Sequence, residues 1–511
     1  MAQVFFFFAA ALFILFSDSN VWAFHEGGTG PCEACHTMHN SISAGTSPNF
    51  KPNQYSISGG VTSWTGFGSG VNAVVNPKGS VGNAMTQYLL RGSDPSSTCL
   101  NCHEETGNAA ATGSYVSTAP ADMPVGMPPI ELTPGGDFGW IKKNYTWGTI
   151  PVYTDSGYLH GHNIVAADFL YTQDPMHNQA PGGTYPSASL TCISCHDPHG
   201  MYRRKSDGSI TNSPAGGVII ASGSYNTSPA PLTGQAVGDY RLLGGVGYLP
   251  PELAATPSYA FSYAPPASVA PSTYNRSEAL SQTVVAYGIG MSQWCRNCHP
   301  NIHTGTGNDP TNVTNAFNNV ESFPQPGNTP YYSHPSGNEI SPANDQLGSQ
   351  IASNYLSYIA TGNYGGTNNS YWSLVPYEIN TNNYSTLQTV VTNANSGAYP
   401  NPQSTDLVSC MSCHRAHASG WDYAMRYKYN GTNDGNYGFT ETITDSNGGV
   451  AVWPGTDTTP TDPNNAMGRT STETQQAYYG RPASLFKANE TTLCNKCHIG
   501  AWNGVYSGSA Y

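Results

Sequence analysis

Cys192-Ile193-Ser194-Cys195-His196 is the stretch on which the reading of this chain turns. Two thiols three residues apart, followed at once by an imidazole, are the spacing of covalent haem attachment. The thiols reach the two vinyl groups of one porphyrin, and the histidine lies under the ring with a nitrogen on the iron. The same pattern occurs at Cys32/Cys35/His36, Cys99/Cys102/His103, Cys295/Cys298/His299, Cys410/Cys413/His414 and Cys494/Cys497/His498. All 12 cysteines of the chain are used, so none is left over for another purpose. A chance histidine after every pair has odds on the order of one in a billion. Paired thiols can also build tetrahedral zinc sites, and an exported chain can carry a disulfide framework. Neither alternative requires a histidine after each pair, so six covalently bound haem c groups are expected.

Composition agrees with an interior that is not made of protein alone. Of 511 residues only 10% are charged, Gly and Pro number 56 and 38, and Tyr reaches 33. Few segments keep a helical apolar stripe or alternate long enough for a broad sheet. Such a chain stays disordered or packs around large ligands, and its aromatic content argues against disorder. The predicted fold class is mostly irregular coil with a few short α-helices and little β. Helical turns are expected around several motifs, near 349–360 and near 471–479. A formal charge of −13 makes nucleic acid an improbable partner.

Residues 5–16 are apolar and are followed by Val21-Trp22-Ala23, so 1–23 reads as an export signal and 24–511 as one hexahaem domain. The leading Met1-Ala2-Gln3-Val4 lacks the usual Lys or Arg. The apolar run is too short to span a bilayer, and no later stretch qualifies. The protein is therefore expected to be secreted. The motifs stand roughly 70 to 115 residues apart, separated by turn formers such as Thr133-Pro134-Gly135-Gly136-Asp137 and Pro181-Gly182-Gly183-Thr184. The scarce basic residues cluster at Arg203-Arg204-Lys205 and Lys142-Lys143, where they could pair with haem propionates or form a solvated patch.

The second axial ligand separates carrier from catalyst. Beyond the motifs there are nine histidines: His25, His39, His160, His162, His177, His199, His303, His334 and His417. They suffice to make all six irons bis-His, which closes the open site a reductase needs. His39, His199 and His417 each follow a motif histidine by three positions, and His303 follows His299 by four. A histidine so close to its own proximal ligand cannot easily cross the same porphyrin, but it can reach a neighbouring one. Met38 and Met291, near motifs, read as packing residues.

Further segments carry a family resemblance. Phe24-His25, Cys35-His36-Thr37-Met38-His39-Asn40, Thr133-Pro134-Gly135-Gly136-Asp137-Phe138-Gly139-Trp140 and Gly161-His162-Asn163-Ile164-Val165 stand in the first half. Cys195-His196-Asp197-Pro198-His199-Gly200, Ala270-Pro271-Ser272-Thr273-Tyr274-Asn275-Arg276, Cys413-His414-Arg415-Ala416-His417-Ala418-Ser419-Gly420 and Leu493-Cys494-Asn495-Lys496-Cys497-His498 follow. With these the chain resembles the OmcS-like family of outer-surface, filament-forming hexahaem c-type cytochromes. The resemblance implies a single elongated domain around a stacked chain of six haems, and head-to-tail polymerisation into a conductive filament. It implies distal ligands drawn from His25, His39, His162, His199, His303, His334 and His417, seven candidates for six places, with His303 or His334 the spare. It implies that His39 ligates the iron held by Cys410, Cys413 and His414 of the next subunit. His160 and His177 have no counterpart in it. Gly-, Ser- and Asn-rich sequence around 41–85, 304–330 and 361–405 is additional to the family pattern and is expected in surface loops.

The leading expectation is thus an electron carrier, not an enzyme, that passes electrons to other redox proteins or extracellular acceptors at the outer cell surface. The alternatives are a multihaem reductase with one open haem and a monomeric periplasmic shuttle.

Overall fold

Glycine and proline interrupt this chain too often for long hydrogen-bonded ladders, and the observed elements are correspondingly brief. The structure, a computed structural model, describes residues 35–36, 55–58, 61–65, 72–75, 90–105, 115–147, 152–211, 218–272, 278, 285–300, 375–395, 405–427 and 468–479. Cys32, Cys494, Cys497, His498, His25, His39, His303 and His334, the segment 1–23 and the helix expected at 349–360 lie outside the described residues.

Strands are two to five residues long. β1 (Tyr55–Ser58), β2 (Val61–Thr65) and β3 (Asn72–Val75) form an antiparallel meander, with Tyr55 opposite Trp64 and Thr65 opposite Asn72. β4 (Glu104–Glu105) pairs in parallel with β5 (Ser117–Thr118), and β6 (Tyr145–Trp147) pairs antiparallel with β7 (Tyr153–Asp155). β8 (Arg203–Lys205), β9 (Ile210–Thr211), β10 (Val218–Ile219) and β11 (Gln235–Gly238) make a sheet in the order β10-β11-β8-β9. β12 (Ser268–Val269), β13 (Ala286–Gly288), β14 (Tyr377–Ile379) and β15 (Leu407–Val408) form a second sheet in sequential order. Coil with small pieces of helix and sheet is the architecture expected. The helix expected near 471–479 is present at Ser471–Ala477.

One expectation needs correction. The Gly/Ser/Asn-rich region 361–405 is not only surface loop, because it supplies β14 and the helix Tyr384–Asn395. Asn383 begins that helix by accepting from Thr386 N at 2.9 Å. Tyr384, Leu387 and Val391, at i, i+3 and i+7, fall on one face and pack against Val237, Val269 and Ala286 of the sheets. Complete burial of Leu387 and Val391 contributes about 1.5–3 kcal/mol each. Other apolar clusters lie beside motif residues: Met291 and Met411 share one with Tyr240 and Tyr287, and Leu100 shares another with Phe138 and Ile164. Met291 is therefore a packing residue, as its sequence context suggested.

The basic clusters form no solvated patch. Lys142 donates to Phe169 O at 2.7 Å and sits 3.8 Å from the Tyr171 ring centre, while Lys143 pairs with Glu473 at 3.0 Å. Arg203 and Arg204 are buried, and Arg204 donates to Pro265 O at 2.5 Å. Among the described residues no helix is long and apolar enough to cross a membrane.

Candidate haem-binding sites

A Cys-x-x-Cys-His unit is almost one helical turn, and the chain folds it as one. The histidine amide bonds to the carbonyl of the first cysteine in three motifs: His196 to Cys192 at 3.0 Å, His299 to Cys295 at 3.0 Å and His414 to Cys410 at 2.9 Å. The turn brings both thiols and the imidazole to one side. Hydroxyl and carboxyl groups start these turns by capping amides that have no helical partner. Asp94 accepts from Ser97 N at 2.7 Å ahead of the helix Pro95–His103. The Thr191 and Ser409 amides each donate to a serine hydroxyl three residues on, Ser194 and Ser412, both at 2.9 Å.

Motifs adjoin in pairs. The side chain of Cys99 lies beside that of Cys192, and the side chain of Cys295 beside that of Cys410. Cysteines of consecutive motifs are therefore neighbours. Among the described residues no disulfide joins the motif cysteines. Among the described residues the only converging group of metal-ligating side chains is Asp155, His160 and Asp422, so neither a disulfide framework nor a Cys/His zinc site is present there.

Six of the described histidines pair across gaps of similar width. Ring centres lie 6.4 Å apart for His36 and His199, 6.4 Å for His196 and His417, and 6.0 Å for His299 and His162. Each pair joins one motif histidine to one of the distal candidates. Two metal–nitrogen bonds of about 2 Å, plus about 1 Å from each nitrogen to its ring centre, give about 6 Å. One iron fits each gap. Nδ1 of four rings faces away toward backbone oxygen, leaving Nε2 as the ligand atom. His162 donates to Ala416 O at 2.7 Å, His196 to Arg241 O at 2.7 Å, His299 to Pro181 O at 2.7 Å and His414 to Tyr423 O at 2.8 Å. His417 stacks on Phe138 at 4.6 Å, and burial lowers its pKa to about 3, which holds it in the neutral form a metal requires. These residues fit covalent haem: thiol pairs, a following imidazole, and a second imidazole at the distance that spans a metal ion.

His414 differs. Like His162 and His199 it is exposed, but among the described residues no ring stands opposite it at that spacing.

Two motifs are gripped from behind in the same way. Tyr240–Leu243 and Asp422–Met425 are tight turns closed by Leu243 N to Tyr240 O at 3.1 Å and Met425 N to Asp422 O at 3.2 Å. Their central residues are left-handed: Arg241 and Leu242 at φ 52° and 57°, Tyr423 and Ala424 at φ 59° and 56°. Such turns favour Asn-Gly. In other residues the conformation costs roughly 1–2 kcal/mol each. These four are most of the six non-glycine residues with positive φ among the described residues.

Close backbone approach seats the motifs against other segments. Gly136, at φ 89°, bridges to Ala418, and a Cβ there would overlap the Ala418 carbonyl. A Cβ at Gly183 would overlap the Cys298 carbonyl. Behind His414, Glu278 accepts from Arg415 at 2.7 Å and from Arg426 at 3.3 Å, all three buried. Arg415 also lies 3.4 Å from the Tyr479 ring centre.

His160 is fully buried and faces no motif histidine. It bonds Trp140 O at 2.9 Å and Asp155 at 3.0 Å, and Arg469 donates to Asp155 at 2.6 Å. The guanidinium supplies the positive charge of this cluster, so Asp155, His160 and Asp422 are a structural network and not a metal centre. Among the described residues His177 pairs with Asp174, at 3.0 Å. Sequence reasoning missed Arg241, Tyr423, Glu278 and Arg426, which act through backbone carbonyls or through pairs distant in the chain; no local signal marks them.

No family model matches the chain. It is 42% identical over 497 residues to the c-type cytochrome OmcS of Geobacter sulfurreducens, covering 96% of this chain and 97% of that protein. It superimposes on the OmcS nanowires of that organism solved by cryo-electron microscopy, with a TM-score of 0.69 and 40% identity, covering 93% of this chain and 100% of that one. The outer membrane cytochrome S filament of the same organism matches with the same values. At 42% identity over nearly its whole length, the chain belongs to the OmcS family of c-type cytochromes.

Proposed function

We propose that the protein is an extracellular electron carrier that holds six haem c groups and polymerises into a conductive filament. The observation that carries this reading is the set of three imidazole pairs spaced 6.0–6.4 Å apart. Bis-His ligation fills both axial positions, which suits electron passage and leaves no place for a substrate. His199, His417 and His162 are the distal ligands opposite His36, His196 and His299. His25, His39, His303 and His334 remain the candidates for the other irons. The position of Cys99 beside Cys192, and of Cys295 beside Cys410, supports close packing of successive porphyrins.

His414 faces no described ring at that spacing, which fits a ligand supplied by another subunit and so supports assembly. Its iron takes its second ligand, His39, from the next subunit, which makes the haem row continuous and the contact heterologous and open-ended. The relatives solved as OmcS nanowires and filaments are consistent with this arrangement. A surface position and onward transfer to other redox proteins or extracellular acceptors follow from it. Removal of residues 1–23 on export, leaving 24–511, belongs to the same reading.

The test is His39→Ala, with haem counted by mass spectrometry and particles viewed by electron microscopy. Six haems on discrete particles, with one iron turned high-spin, is the expected result. Well-ordered filaments from the variant would exclude the inter-subunit ligand. A high-spin iron already present in wild-type filaments would favour the reductase reading.

A further inference from the structure

The sites at Cys192/Cys195 and Cys410/Cys413 are copies of one device, although the two sequences show it differently. In both, an amide is capped by a serine hydroxyl three residues later, at 2.9 Å. In both, a turn with a left-handed pair returns antiparallel to the motif: His196 bridges Leu243, and His414 bridges Met425. Asp197 N bonds Leu242 O at 2.6 Å and Arg415 N bonds Ala424 O at 2.7 Å, while Gly244 N bonds Cys195 O at 2.9 Å and Arg426 N bonds Cys413 O at 2.8 Å. The first motif shares the same frame as far as it is described. His36 bridges Leu90, Arg91 N bonds Cys35 O at 2.9 Å, and Arg91 Nε points at His36 O as Arg426 Nε does at His414 O.

The shared product of this frame is a carbonyl on the proximal ring. Arg241 O and Tyr423 O, each on the first residue of a left-handed pair, accept from Nδ1 of His196 and His414. Strain kept at equivalent places in two copies marks a function the backbone geometry serves. An acceptor on Nδ1–H makes Nε2 a stronger donor, and a stronger donor favours the more highly charged ferric iron.

We infer that the left-handed pairs Arg241–Leu242 and Tyr423–Ala424 are positioning residues that lower the reduction potential of the irons ligated by His196 and His414. One electron converts ferric to ferrous iron, taken from a neighbouring haem, and Nδ1 keeps its proton throughout. The inference rests on the haem reading above.

The experiment compares Leu242→Gly, Leu242→Ala and Leu242→Val in the haem-loaded full chain. None keeps the leucine side chain, but glycine adopts φ near 57° freely, alanine less so and valine least. Potentiometric titration followed by absorbance should show about one-sixth of the signal moving upward in the order glycine, alanine, valine, with glycine at the wild-type value. Three coincident curves, or three equal shifts, would overturn the inference. Where the valine protein does not accumulate, glycine against alanine decides, and Ala424→Gly against Ala424→Val repeats the comparison in the second copy. Peptide mass spectrometry separates the two levels. Absence of haem from the Cys192/Cys195 peptide of the wild type would defeat the proposed function, whereas haem there with an indifferent potential defeats only the positioning role.

Discussion

The imidazoles of His36 and His199 lie parallel, with their planes 8° apart and their centres separated by 6.4 Å. These residues belong to the first and third motifs, so the pair crosses between haem sites and does not close within one. His417, three residues after His414, does the same in facing His196. In both cases the histidine just past a motif faces the proximal histidine of the motif two earlier in the chain, as the proposed ligation requires. Under the proposed ligation, such cross-pairs would hold successive haems close together.

The pairing makes His199 testable. His199→Ala should leave all haems covalently attached, because thioether formation uses the cysteines. It should convert one haem from low-spin to high-spin, read in the optical and electron paramagnetic resonance spectra. A fully low-spin variant would remove His199 from the ligand set.

The three pairs also differ in twist, at 8°, 47° and 58°. Parallel imidazoles donate into the same iron d orbital and split that level from its partner, whereas twisted rings donate into both. The His36/His199 iron should therefore give the most rhombic ferric signal of the three. Loss of that component, and no other, in His199→Ala would assign it. Loss of a near-axial component would place the parallel pair elsewhere.

How much of this was legible in the sequence depends on whether the chemistry was local. Cys192, Cys195 and His196 carry their meaning within five positions, and so does Cys410 to His414. His199 and His417 could be named as ligands, but not by residue pattern alone as ligands of a particular iron. The return turns were invisible. Tyr423 follows His414 closely, whereas Arg241 lies far beyond His196, and neither Arg241-Leu242 nor Tyr423-Ala424 contains the glycine or asparagine that marks a left-handed turn. His160 and His162 look alike in sequence, since both flank Gly161. Burial beside Asp155 and Arg469 makes one structural, and its position facing the His299 ring makes the other the proposed ligand. The helix Tyr384–Asn395 was hidden because its Thr, Val and Asn residues are weak helix formers, and tertiary packing of Leu387 and Val391 overrides that preference.

Gly136 tests the close approach that seats His417. Gly136→Ala adds a methyl group that would overlap the Ala418 carbonyl, at a residue already left-handed. Forced shifts of this kind cost about 1–3 kcal/mol. Gly234 is left-handed too, but nothing lies within 4 Å of its added Cβ. Gly234→Ala therefore carries only the backbone cost. The variant at 136 should lower the unfolding temperature more and should perturb the haem ligated by His196, whereas the variant at 234 should leave every haem spectrum unchanged. Equal effects would mean that the approach to Ala418 is not tight.

Asp422 gives the pH dependence its sign. Burial and the neighbouring Asp155 raise its pKa from an ordinary 3.8 to about 7. Burial also opposes ionisation of Asp155, but His160 and Arg469 outweigh it and hold that carboxyl well below the usual range. The two therefore act in opposite directions. The contribution of Asp422 is complete below pH 4 and is lost as pH rises through about 7, because the folded state keeps a proton that the unfolded chain has released. The contribution of Asp155 is present above pH 4 and is lost as pH falls below it. Between pH 5 and pH 8 Asp155 stays ionised in both states, so of this pair only Asp422 contributes a slope, which the comparison with a variant at 422 isolates from Asp94 and Asp239. Asp422→Asn keeps a donor toward Asp155 and removes the charge. Its unfolding temperature should approach or exceed that of the wild type at pH 8 and lose that advantage at pH 5. Parallel curves for the two proteins across this range would mean that Asp422 ionises as freely in the folded chain as in the unfolded one.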